Sequence, residues 1–161
     1  MPATQTQASF ARHLLPLFTT ITLGSAASGV YAGKLGVYTS DEQGFNTHTF
    51  YYDDGQEVVV FDTQFLPALT QKMVDQIHQT TRSPITRVVV THANPDKFNG
   101  LPVLHAAGAR SISSQAIAND IPAVHSYKSH FWIDTMKAFK PSDYPRLENV
   151  QEAFTGNSTT L

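Results

Sequence analysis

Val88-Val89-Val90-Thr91-His92-Ala93-Asn94-Pro95-Asp96-Lys97-Phe98-Asn99-Gly100 is the stretch on which the reading of this chain turns. The β-branched run, Arg87–Thr91, reads as a buried strand. Residues Thr91–Gly100 read as a loop that leaves its carboxyl end and leads to a short helix, Leu101–Ala107. In open α/β sheets, ligands bind beyond the carboxyl ends of strands. Within this loop His92, Asn94 and Asp96 alternate. An imidazole and a carboxylate four residues apart in a tight loop can converge on one cation. Zinc accepts both donor types and keeps a position open for water in catalytic sites. That water becomes a nucleophile near neutral pH, which is hydrolase chemistry. The plain alternative is a turn in which Asn and Asp, next to a proline, bond to their own backbone.

Working outward, the elements before this loop form a sequence of strands and one helix. Leu35–Ser40 has strand composition, Asp41–Gly44 a turn, and Phe45–Tyr52 alternates apolar and polar as a half-buried strand does. Asp53-Asp54-Gly55-Gln56 carries an Asp-Gly hairpin signal, because these residues tolerate positive φ. Glu57–Phe61 is a second β-branched run, expected to be buried on both faces, and Asp62-Thr63-Gln64 closes it. Leu66, Leu69, Met73, Val74 and Ile77 then fall on one stripe of a helix, with Pro67 in its first turn and Pro84 beyond its end. Strand, helix and strand over this distance make a βαβ unit, which predicts parallel pairing. Downstream, Ala109–Ser113 reads as a short strand and Ser114–Asn119 as the start of a helix. Residues 120–146 read as partly helical, and Thr155–Leu161 as a turn entering a strand.

The 161 residues are 41% hydrophobic and 15% charged, an ordinary globular balance. The formal charge of −2 gives no clustered basic face for nucleic acid, and the absence of cysteine excludes disulfides and thiolate ligands. Arg12 is the only charged side chain before Lys34. Behind it, Leu14–Leu23 is an apolar stretch too short to span a bilayer, and small residues follow up to Ala32. This is the layout of a secretory signal peptide over residues 1–32, cut after Ala32 or, as second choice, after Ala27. Export to the periplasm or the outside follows as an expectation, with no stable membrane anchor after cleavage and one domain over residues 33–161.

The order of these elements, with Phe61-Asp62-Thr63 ending a hairpin and Thr91-His92, Asp96 and Gly100 ending the next strand, resembles the metallo-β-lactamase superfamily. Its pattern at this turn is Thr-His-x-His-x-Asp-His. The resemblance covers residues 35–161 and aligns them with the N-terminal half of the domain. It implies an α/β fold, half of an αββα sandwich with a mixed sheet and flanking helices. It also implies a hydrolytic centre of one or two zinc ions acting on a small-molecule substrate. Carried over by position, His92, Asn94 and Asp96 occupy metal-ligand places, and Asp96 and Lys97 the catalytic ones. Asp62 and Thr91 orient the ligands from behind.

The pattern is degenerate. Asn94 stands where the middle His belongs, and an amide oxygen suits calcium or magnesium better than zinc. Lys97 stands where the last His belongs. It has three donors and no lone pair, so it cannot ligate, though it can anchor an anionic substrate group. Gln64 replaces a glycine common after the Asp-Thr pair. The family's later ligands lie in a C-terminal half not contained in these residues. The expectation is therefore a metal-dependent hydrolase that is fragmentary or catalytically impaired here, holding zinc weakly or not at all. A non-catalytic exported binding protein of the same fold is the alternative. Half a sandwich would leave one sheet face bare and prone to self-association. His105, His125 and His130 read as surface or partly buried side chains, His48 as a strand residue facing solvent, and the Tyr127, Phe131 and Trp132 aromatics as packing.

Overall fold

The structure is a computed structural model that describes residues 32–157. Apart from Ala32, the signal-peptide reading falls outside the described residues. Six strands form one mixed sheet in sequence order: β1 (Lys34–Thr39), β2 (His48–Asp53), β3 (Val58–Phe61), β4 (Ile85–Val89), β5 (Arg110–Ser114) and β6 (Glu152–Phe154). The first three pair antiparallel, and β3 through β6 pair parallel. The helices are α1 (Pro67–Thr80), α2 (Pro95–Phe98), α3 (Leu101–Ala106) and α4 (Gln115–His130). Among the described residues, no helix is long and apolar enough to cross a membrane.

The β2–β3 hairpin forms where Asp53-Asp54-Gly55 predicts it. Gly55 takes φ 87°, and Asp54 Oδ1 accepts from the N–H groups of Gln56 and Glu57 at 2.7 and 2.8 Å. The βαβ unit is also as read: α1 buries Leu69, Met73, Val74 and Ile77, and β3 and β4 pair parallel with Phe61 beside Val89. Leu66 lies outside the stripe, because it is the extended residue that caps α1 ahead of Pro67.

Several boundaries differ. The second strand begins at His48, not Phe45, because Phe45 and Asn46 adopt left-handed φ of 62° and 52° as they leave a 3-10 turn, Glu42–Gly44. The loop after β4 contains a helical turn of its own, α2. A strand not foreseen, β6, precedes Thr155, and the strand expected to follow that turn falls at residues 158–161, outside the described residues. β3 is not buried on both faces: Val58 and Val60 are fully buried, and Val59 and Phe61 are partly exposed.

That asymmetry runs through the sheet. Tyr51, Val60 and Val88 are neighbours across β2, β3 and β4, and they share one core with Met73, Val74 and Ile77 of α1, Phe98 of α2, Leu101 and Leu104 of α3 and Ile121 of α4. Burying each such side chain contributes about 1.5–3 kcal/mol. The next row across the same strands points the other way: Val37, Phe50, Phe61 and Val89 are in register, and Val37 and Phe50 are 46% and 48% exposed.

The core also fixes where the loop after β4 can lie. Gly100 sits against β3 and α1 so closely that a Cβ there would stand 2.0 Å from Thr70 Oγ1 and 2.9 Å from the Cβ of Thr63. Its N–H donates to Thr63 Oγ1 at 3.1 Å, and Asn99 Nδ2 donates to the Phe65 carbonyl at 3.1 Å.

Two stability predictions follow from this packing. Met73→Ala should cost about 2–5 kcal/mol in denaturant unfolding, whereas Phe50→Ser on the open face should shift stability by no more than about 0.5 kcal/mol. A large loss at Phe50 would show that this face is covered in solution. Gly100→Ala should cost about 1–3 kcal/mol by overpacking, and an unchanged unfolding midpoint would mean that Thr70 gives way freely.

Candidate functional site

Parallel pairing of β3 and β4 puts both carboxyl ends at one edge of the sheet. There Asp62 N–H donates to the Val89 carbonyl at 2.8 Å and the chain turns sharply. Asp62 takes φ 71°, a left-handed conformation that is uncommon outside glycine and costs on the order of 1–3 kcal/mol. The turn aims its carboxylate at Thr91. The Thr91 N–H donates to Oδ1 and the Thr91 hydroxyl to Oδ2, both at 2.8 Å. Hydrogen bonds to a charged acceptor contribute about 1.5–3 kcal/mol each, enough to offset the strain. Burial pushes the Asp62 carboxyl above the usual carboxylate range. The two Thr91 hydrogen bonds and the nearby Lys97 and His92 pull the other way without cancelling the desolvation.

The next turn carries the other side chains. Asn94 is extended, Pro95 opens α2, and the Lys97 N–H donates to the Asn94 carbonyl at 2.8 Å. The Asn94 amide donates through Nδ2 to Asp96 Oδ1 at 2.7 Å. The Lys97 ammonium lies 3.0 Å from Asp96 Oδ2 and 3.7 Å from Asp62 Oδ2, and its side chain is only 15% exposed. His92 is exposed, with Nδ1 at 3.2 Å from Thr91 Oγ1. The structure thus brings Asp62, Thr91, Asp96 and Lys97 into one cluster, with Asn94 on its rim.

The donor set does not fit zinc. Asn94 turns its N–H₂ toward Asp96, so the amide acts as a donor there. The only cation among these side chains is an ammonium without a lone pair. Among the described residues, no group of three or more His, Asp or Glu side chains is arranged to hold a metal ion. His105, His125 and His130 are engaged elsewhere: His105 with Glu148 and Ser111, His125 with the Pro145 carbonyl, and His130 with Asp134. His48 is exposed and bonds to Thr39 at 2.8 Å. Nor is Lys97 a free anchor for a substrate anion, since two carboxylates of the chain already hold it.

Beside the cluster lies a cavity of about 290 Å³. Asn94, Pro95 and Asp96 form one wall. Phe45, Phe65 and Trp132 form the other, with Thr47 and Lys128 completing the lining. The three rings pack on one another at centroid distances of 5.2–5.7 Å. Of the aromatic trio flagged in the sequence, only Trp132 lines this cavity. Tyr127 is 65% exposed, and Phe131 stacks edge-on against Trp132. Phe45, Thr47, Phe65 and Lys128 were not legible as site residues, because nothing in their local sequence distinguishes them from turn, core or helix-surface positions.

No family model matches the chain. Solved structures do. A metallo-β-lactamase from Pontibacter korlensis superposes with a TM-score of 0.58 at 17% identity, covering 80% of this chain and 52% of that one. A metallo-β-lactamase from Hirschia baltica superposes with a TM-score of 0.52 at 18% identity, covering 78% of this chain and 48% of that one. The chain spans about half the length of the structures it matches. Its mixed six-stranded sheet with flanking helices accordingly has the metallo-β-lactamase fold.

Proposed function

We propose that this chain is a metallo-β-lactamase-fold unit, related to the metallo-hydrolases, that is catalytically impaired at its metal turn and retains the capacity to bind a small molecule. The observation that carries this reading is the aromatic cavity beside Asn94–Asp96 at the carboxyl ends of the parallel strands, the place where open α/β sheets bind ligands. Its aromatic wall favours a flat apolar body, and Lys128 offers a cation for an acidic substituent. Zinc loading in such a unit is weak or absent, for the reasons of donor chemistry given above.

Hydrolysis is the second reading, supported by the named activity of the two matched structures. A downstream coding sequence with a Gly-His turn, an aspartate and a late histidine would supply the further ligands that it needs. The proposed residence is the periplasm or the cell exterior, after removal of residues 1–32.

Trp132 is the only tryptophan in the chain, so its fluorescence reports on the cavity wall. Anilinonaphthalene sulfonate, as an anionic aromatic probe, should quench Trp132 saturably. Lys128→Met should weaken that binding about two- to fivefold, the loss of one partly exposed charge contact, and spare neutral naphthalene. No saturable quenching would remove the binding reading. Zinc-dependent turnover of a chromogenic β-lactam, abolished in His92→Ala, would replace it with the hydrolase. Edman sequencing of the exported product should begin at Gly33, and a retained Met1 would refute export.

A further inference from the structure

We infer that the Lys97 ammonium is the resident cation of this turn, a tethered positive charge that holds Asp62 and Asp96 together where a metal ion would otherwise have to sit. Three observations carry this. The Nζ atom lies between the two carboxylates, 3.0 Å from Asp96 Oδ2 and 3.7 Å from Asp62 Oδ2, and the three side chains are only 11–17% exposed. Two carboxylates so placed repel each other unless a cation intervenes.

The remaining oxygens are already served. Asp62 accepts from the Thr91 N–H and hydroxyl, and Asp96 Oδ1 accepts from the Asn94 amide. All four carboxylate oxygens therefore have a donor or a cation from the chain itself, and a divalent ion would have to displace Lys97 to reach them. The two carboxylates also come from different segments: Asp62 follows directly on β3, and Asp96 lies in α2. The ammonium thus ties α2 to the turn that leaves β3, and Asp96, one of the two carboxylates it holds, also lines the cavity. This inference does not depend on the cavity binding anything.

The test compares thermal midpoints and bound metal for the full chain and its Lys97→Met, Lys97→Arg and Lys97→Met/Asp96→Asn variants. Each is measured in EDTA, in zinc chloride and in calcium chloride. The unaltered chain should melt at the same temperature in all three and carry no stoichiometric metal. Lys97→Met should melt about 4 °C lower or more, and Lys97→Arg should recover most of that loss. Adding Asp96→Asn to Lys97→Met should raise the midpoint again by relieving the repulsion, which a merely space-filling role for Lys97 would not do. A divalent ion should raise the midpoint of Lys97→Met but not of the unaltered chain, because only the variant exposes the carboxylates to it. Zinc stabilising the unaltered chain, Lys97→Met melting like the parent, or no rescue by Asp96→Asn would each overturn the inference. Should Lys97→Met fail to fold, metal-insensitive melting of the parent and of Lys97→Arg carries the test. A midpoint that rises with zinc in either one overturns it.

Discussion

The clasp between Asp62 and Thr91 is the constraint on which the site depends. Two parallel strands end side by side, and the first must turn away through a left-handed residue. That residue is an aspartate, so the strained turn also delivers a carboxylate to the backbone and hydroxyl of the second strand's exit. A glycine would relax the turn and lose the link. The strain is offset by two charge-assisted hydrogen bonds, and the result is a rigid origin from which the loop through Asp96 is laid out.

Around that origin the chain lays out an edge of the kind at which open α/β sheets bind ligands. Gly100 and Thr63 hold the end of α2 tight against β3. Asn94, Asp96 and Lys97 then face inward as an amide donor, a carboxylate and an ammonium. A metal turn needs converging lone pairs. Here the convergence is of donors and acceptors that satisfy one another, which is a closed electrostatic circuit and not an open coordination sphere. The aromatic cavity lies beside it, and Phe45, Phe65 and Trp132, which line it, take no part in that circuit.

The two faces of the sheet show the same division between what is kept and what is open. Tyr51, Val60 and Val88 are sealed by the helices, while Val37 and Phe50 on the reverse are about half exposed. An apolar row of this kind is uncommon on a free surface. The solved metallo-β-lactamases that this chain matches are about twice its matched length.

Local sequence determined the elements whose cause is local. The Asp-Gly hairpin, the α1 stripe behind Pro67, the β-branched strands and the parallel βαβ unit all follow from turn chemistry and periodicity, which act within a few residues. It determined as well that Lys97 could not be a ligand, since that is a property of the side chain alone. Where Phe45 leaves the second strand was not legible, because its left-handed φ is imposed by the 3-10 turn before it. The full length of α4 was not legible from local sequence: Pro122 lies inside it and removes one internal hydrogen bond, while Ile121 beside it is fully buried in the core. Only the tertiary structure decided that Lys97 reaches Asp62, 35 residues away, and that Phe45, Phe65 and Trp132 meet across 87 residues of chain. These are contacts between distant segments. They are set by how the helices pack on one face of the sheet, and no spacing along the chain encodes them.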